Sequence, residues 1–179
     1  MKEINDFVGQ FRASINLDES LIVKKKNRYY LLNENLKHQS HQDFFYIGVY
    51  LGKLKGASFF PSFLLLAMIA ESKANKVVVD KKTAWLFICG RDIFKQGILK
   101  VNGSRKGDYT LILNEHNECL GFGKIMRNLR EESDANKVAV KNILDIGDFL
   151  RREKRQSRRQ QRSSRLHRND SKPHKPTRK

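Results

Sequence analysis

From residue 76 to residue 143 the chain is a succession of short β-prone runs. They are KVVV (76–79), YTLIL (109–113), CLGFGKIM (119–126) and VAVKNI (138–143). Each is too short to build an amphipathic helix, and the segments between them are rich in Gly, Asn, Asp and Ser, which turn the chain. Only DKKTAWLFICG (80–90) has helical length, and Gly90 ends it. RDIFKQGILKV (91–101) is interrupted by Gly97, and NGSRKGD (102–108) reads as a connection. Several short strands at close spacing, with a single short helix among them, predict a small β barrel.

The first 75 residues have a different rhythm. Ile4, Phe7, Val8 and Phe11 fall at i, i+3, i+4 and i+7, one face of an opening helix. SLIVKKK (20–26) and RYYLL (28–32) read as a hairpin, NENLK as a helical turn, and DFFYIGVYLGKL (43–54) as a strand closely approached by other backbone at Gly48 and Gly52. Pro61 fits the first turn of a helix that continues through SFLLLAMIAESKAN to near Asn75. This stretch is expected to be an α+β unit with its own apolar set.

The end of the chain cannot join either part. Residues 151–179 contain 13 Lys/Arg against Glu153 and Asp170, which is +11 of the total +17. Leu166 is the only large apolar residue in the last two dozen, too little buried surface to offset the entropy of ordering. The expected organisation is therefore α+β: an α+β domain over 1–75, a β-barrel domain over 76–156 and a disordered Arg/Lys-rich tail over 157–179.

A pI near 10 points to a polyanionic partner, nucleic acid or an anionic membrane surface. The longest apolar run, FFPSFLLLAMIA (59–70), is about a dozen residues, whereas a bilayer span needs ~20. The tail also lacks the apolar face of an interfacial helix, so no membrane partner is expected. The opening MKEINDFVGQFR has no signal-peptide pattern, which predicts a cytoplasmic protein. Cys89 and Cys119 sit among apolar neighbours without CxxC spacing and read as two reduced, buried thiols.

Catalytic and cofactor patterns lead nowhere. The GFGK of 121–124 lies inside a β run and is followed by Ile125, where a phosphate loop needs GxxxxGK[ST] opening a helix. It reads as part of a strand after the turn NEHNE, with His116 solvated at its tip. His38 and His41 would be half a metal site with nothing to complete it. Serines are plentiful, none within GxSxG. Asp80 reads as a helix cap, and Asp145 and Asp148 as acids favouring the first turn of a final helix. Trp85, in TAWLFI, is expected to pack in the core. No catalytic residue, metal or cofactor is expected.

Basic side chains remain. Arg91, Lys95, Lys100, Arg105, Lys106, Lys124 and Arg127 are candidates in the barrel part, and Arg151, Arg152, Lys154 and Arg155 follow on the final helix. Arg and Lys meet phosphate oxygens, and Arg can present two donors at once. Any one of them is equally at home as solvated surface. The tail segment RQSRRQQRSSRLHR resembles arginine-rich segments that fold on RNA; a solubility or targeting extension is the alternative.

The order WLFICGRDIFKQGILKV, KGDYTLILNEHNECLGFGKI, VAVKNILDIGDFLRRE resembles a PUA domain, a small RNA-binding pseudobarrel. With NRYYLLNENL, YIGVYLGKL and FFPSFLLLAMIA before it, residues 1–155 resemble the archaeal and eukaryotic large-subunit ribosome-biogenesis factors that couple a pre-PUA domain to a C-terminal PUA domain. The resemblance implies pre-rRNA binding without catalysis, with a possible protein partner on the pre-PUA part through the aromatic strand 44–51; the sequence does not set the oligomeric state, and a monomer is the default expectation. It implies RNA against the short helix and the last strand, which raises Arg91 and Lys95, and raises most the cluster Arg151, Arg152, Lys154 and Arg155. Gly90 and Gly97 would admit RNA closely or simply make turns. DIGDFLRRE looks archaeal; a nucleolar location would follow if the protein is eukaryotic. The alternative function is a PUA subunit or adaptor of an RNA-modification or RNA-degradation complex.

Overall fold

The computed structural model describes residues 1–38, 47–130, 136–148 and 151. Helix α1 (Lys2–Gly9) buries Ile4, Phe7 and Val8, and Phe11 extends that stripe beyond its end. Strands β1 (Ile22–Lys25) and β2 (Arg28–Leu31) form the expected hairpin, with Lys26 in the left-handed conformation at φ 56°. A single turn, α2 (Glu34–Lys37), is capped by Asn33. Strands β3 (Val49–Lys55) and β4 (Ser58–Pro61) complete an antiparallel sheet in the order β1-β2-β3-β4. Residues 43–46 of the expected aromatic strand lie outside the described residues.

Helix α3 (Phe63–Glu71) begins one residue after Ser62, whose hydroxyl accepts a hydrogen bond from the Leu65 amide at 3.1 Å. Pro61 therefore closes β4 and does not open the helix. It pairs with Gly52 at the end of an edge strand, where a missing N–H is tolerated and Ser62 supplies the cap.

The second half runs β5 (Lys76–Val79), α4 (Lys81–Ile88), β6 (Ile93–Phe94), a 3-10 turn at Lys95–Gly97, β7 (Ile98–Asn102), β8 (Tyr109–Leu113), β9 (Cys119–Ile125) and β10 (Val138–Asp145). These strands make one sheet, β6-β10-β9-β8-β5-β7, in which only the β5–β8 pairing is parallel. The sheet curls into a half-barrel, so the chain is α+β with the expected barrel-like second half. NEHNE is the turn of the β8–β9 hairpin: the Asn114 carboxamide oxygen accepts from the amides of His116 and Glu118, and His116 is exposed at the tip. Gly121 has φ 148°, and a Cβ there would collide with the Leu144 carbonyl of β10. Glycine is needed so that two strands can approach, not to hold phosphate.

The first 75 residues do not own their core. Leu111, Leu113 and Phe122 of the half-barrel belong to one cluster with Phe7, Phe11, Tyr29, Leu51, Leu65 and Ile69. Phe7 lies 5.6 Å from Phe122, 5.4 Å from Phe59 and 5.3 Å from Phe11 between ring centroids, so one ring joins α1, β4 and β9. Backbone bonds follow the same seam: the Asn75 amide donates to Phe11 O and the Tyr109 amide to Gln10 O. Arg12 donates from Nε to Asp108 at 3.0 Å, which engages the acid of the KGD stretch. A second cluster fills the half-barrel under α4 with Val77, Val79, Ala84, Phe87, Ile112, Leu120, Ile125 and Val140.

Met1–Ile146 form one compact unit, and Gly147 opens a second segment. In the latter, Gly147, Asp148 and Arg151 are described and helical. Strand β10 continues through Asp145, two residues further than VAVKNI suggests. The buried Asp145 carboxylate accepts from Asn142 at 3.2 Å and belongs to the strand end.

Candidate nucleic-acid interface

Helix α4 is short, and its two ends are fixed by side chains. The Asp80 carboxylate accepts from the Thr83 amide at 2.6 Å, the cap expected from sequence. Gly90, at φ 87°, closes the other end in the left-handed conformation. Ala84 and Phe87 are buried in the half-barrel cluster, so residues on the far side of the helix face outward. These are Lys81, Lys82, Trp85, Leu86 and Cys89.

Trp85 is 66% exposed, contrary to the core position its apolar neighbours suggested. TAWLFI is apolar around most of the helix, so periodicity does not say which side meets the sheet; Phe87 takes the buried position. Lys81 and Lys82 lie four and three residues before Trp85 and share its side of the helix. Both lysines are exposed, on the turn that precedes the indole. Cys89, also exposed, corrects the expectation of two buried thiols.

Asn142 of β10 holds the C-terminal end of α4. Its side-chain amide donates to Phe87 O at 2.9 Å, and its backbone amide donates to Asp92 Oδ1 at 2.8 Å. The Arg91 amide returns to Leu86 O at 3.0 Å. The backbone at Arg91 is therefore set against the last strand while its side chain is exposed. Sequence reading missed Asn142; its one signal is an amide residue inside a strand, where such residues are depleted.

The other basic candidates do not converge on this place. Lys95 is half-buried in the 3-10 turn before β7, and Lys100 lies on β7 at the opposite edge of the sheet from β6 and β10. Arg127 donates from Nε to Val138 O at 3.0 Å and ties the end of β9 to β10. Lys124 stands opposite Lys141, which sequence reading passed over, and both are exposed. They share a face with Tyr109 and Phe122, opposite to the one on which α4 packs. Exposed Arg105 and Lys106 lie in the turn whose Gly107 amide bonds Ile125 O, beside that pair. Arg151 is helical and engaged in its own interactions, and Arg152, Lys154 and Arg155 lie outside the described residues. Gly97 is buried, and a Cβ there would collide with the Thr83 side chain. Its function is to let α4 pack on the turn, not to admit a ligand.

Among the described residues no group of three or more His, Cys, Asp or Glu side chains is placed to hold a metal ion. No described helix is long and apolar enough to cross a membrane.

The two thiols should separate by reactivity. Burial pushes the Cys119 thiol up to about 11, whereas Cys89 is exposed. The thiolate is the reactive form, and at pH 8 Cys119 would be about 0.1% ionised. One thiol is expected to react rapidly with an aromatic disulfide reagent in the native chain, the second only after unfolding. Cys89→Ser should remove the fast phase. Two thiols reacting together in the native chain would contradict this assignment.

A curled β half-barrel with one capped helix between its first two strands, against a mixed α+β N-terminal part, is the architecture of a PUA-domain protein. Residues 75–154 match the family model of the UPF0113 PUA domain. PUA domains commonly bind RNA. A UPF0113 protein of Archaeoglobus fulgidus is 29% identical over 111 residues, which are 61% of this chain and 63% of the relative, so the match spans less than two thirds of that protein. A conserved PUA-domain protein from Thermoplasma acidophilum matches in structure with a TM-score of 0.54 and 21% identity, over 85% of this chain and 92% of that one. A PUA domain from Aeropyrum pernix K1, in a tartrate complex, matches with a TM-score of 0.50 and 18% identity over 83% and 84%. These likenesses bear on the fold alone.

Proposed function

We propose that this protein is a non-enzymatic RNA-binding factor of large-subunit ribosome biogenesis, holding pre-rRNA against α4 and the neighbouring end of β10. The observation that carries RNA binding is Trp85, exposed on the outer side of α4 between the aminoalkyl chains of Lys81 and Lys82 and the fixed backbone of Arg91. An exposed indole offers a base its face, and flanking cations meet phosphate; together they suit unpaired RNA. The large-subunit assignment rests on the resemblance of residues 1–155 to the pre-PUA/PUA assembly factors. In this reading binding is the whole activity: the protein keeps a segment of precursor from pairing or from nucleases until assembly proceeds.

The test is recovery of RNA bound to the tagged full chain in its own cells after ultraviolet crosslinking. Precursor segments of large-subunit rRNA are expected to dominate. Crosslinks spread over transfer RNA, or confined to guide RNAs of a modification complex, would favour the adaptor reading instead.

A further inference from the structure

The four-stranded sheet carries a charge distribution that the α4 site does not use. Its hairpins, residues 22–31 and 49–61, contain Lys24, Lys25, Lys26, Arg28, Lys53 and Lys55 and no Asp or Glu. Residues 1–150 hold 23 Lys/Arg against 17 Asp/Glu; without these six, 17 cations face 17 acids. The net positive charge of the first 150 residues is thus held by two hairpins of one sheet.

Register gathers that charge. Lys25 stands opposite Arg28, and Arg28 opposite Lys53, so the three side chains leave the same face in a row across β1, β2 and β3. The row is about 10 Å long at ~4.8 Å per strand spacing. Lys55, two residues beyond Lys53, is on the same face, and Lys26 projects from the adjoining turn. Asn27 pins that turn to β3 through a 2.8 Å bond from its side-chain amide to Leu54 O. Phe60, half-buried, stands opposite Lys53 at the end of the row. Lys24 alone turns the other way, to Glu3 at 3.7 Å and the ring of Tyr29.

Like charges directly opposite one another across strands are destabilising. A row of them on rigid strands is the form a polyanion site takes. The apolar residues further along this face, Val23, Tyr30 and Tyr50, are covered by Leu36 and Ile47, which leaves little to insert into a lipid surface.

We infer that this face is a second contact surface for the sugar-phosphate backbone of RNA, separate from α4, with the exposed Lys26, Lys53 and Lys55 as the phosphate contacts and the half-buried Lys25 and Arg28, which are engaged in interactions of their own, adding to the local positive charge. The inference rests on the RNA-binding reading above and extends it to the N-terminal sheet. RNA is favoured over an acidic protein because the same compact unit holds most of the stretch that matches the PUA domain, and because Phe60 lies in the row where a base could rest.

The test is anisotropy titration of fluorescein-labelled single-stranded RNA with the full chain over a range of salt concentrations. Lys26→Ala/Lys53→Ala/Lys55→Ala is compared with Lys2→Ala/Lys37→Ala/Lys73→Ala, an equal charge loss elsewhere. Each lost phosphate contact flattens the plot of log affinity against log salt by ~0.7, so the hairpin variant should be flatter by about 2 and the control close to wild type. If the two triple variants have equal slopes while Trp85→Ala weakens binding, this inference falls and the α4 reading stands. If the wild-type chain does not bind RNA, both fall. Binding of a polyglutamate peptide or phosphatidylserine vesicles that needs these lysines, with RNA binding independent of them, would overturn the RNA assignment.

Discussion

Phe7→Ala is expected to lower the free energy of unfolding by about 3–5 kcal/mol, the range for emptying a buried aromatic site. Phe7 meets Phe11, Phe59 and Phe122 at centroid distances of 5.3–5.6 Å, edge-on or tilted. Each such pair contributes ~0.5–1.5 kcal/mol beyond the area it buries. The three partners come from the chain after α1, from β4 and from β9, so no single neighbour can move in to fill the space. Calorimetry should show one endotherm, displaced downward by about 6–20 °C at ~2–4 °C per kcal/mol for a domain of this size. One endotherm is expected because both sheets share this cluster. Two separate transitions, or a loss below about 1 kcal/mol, would show that α1 does not join them.

Trp85→Ala should have the opposite profile. The side chain is 66% exposed, so stability should change by no more than about 0.5 kcal/mol. Affinity for unpaired RNA should fall by about 1–3 kcal/mol, the contribution of one stacked base. That is roughly 5- to 150-fold in Kd. Trp85→Phe should retain part of it, since a smaller ring still stacks. Trp85 is the only tryptophan in the chain, so its fluorescence reports on the site directly. Quenching by a short oligouridine, and less by a duplex of equal length, is expected. An unquenched indole and an unchanged Kd in Trp85→Ala would remove α4 from the interface.

The two variants test different consequences of one arrangement. Phe7 is buried in the shared cluster and controls whether the sheets behave as one body. Trp85 lies outside that cluster, and in the proposed function it bears on RNA affinity alone. A chain that loses RNA binding with Phe7→Ala while remaining folded would break this separation.

Local signals were legible in the sequence. The Asp80 cap, Gly90 at the end of α4, the hairpin turns at Lys26–Asn27 and NEHNE, and the stripe Ile4, Phe7, Val8 and Phe11 all rest on residues within a few positions of one another. The resemblance to a PUA domain rests on the same local order of runs and turns. Chain neighbours sufficed for these features because the hydrogen bonds and backbone angles involved are themselves local.

Tertiary structure decided the rest. TAWLFI is apolar on nearly every side, so only the packing of Phe87 against Val77, Ile112 and Val140 determined that Trp85 would face outward. Asn142 matters only because β10 runs beside the end of α4, 55 residues away from Phe87 in sequence. Pro61 was drawn into β4 by pairing with Gly52, and the apolar residues of 1–75 were drawn into a core shared with Phe122. The row Lys25, Arg28 and Lys53 is three scattered cations until strand register sets them side by side. Sequence fixes which residues prefer strand, turn or burial, whereas register and the choice of packing face depend on contacts between distant segments, and those contacts made both candidate surfaces.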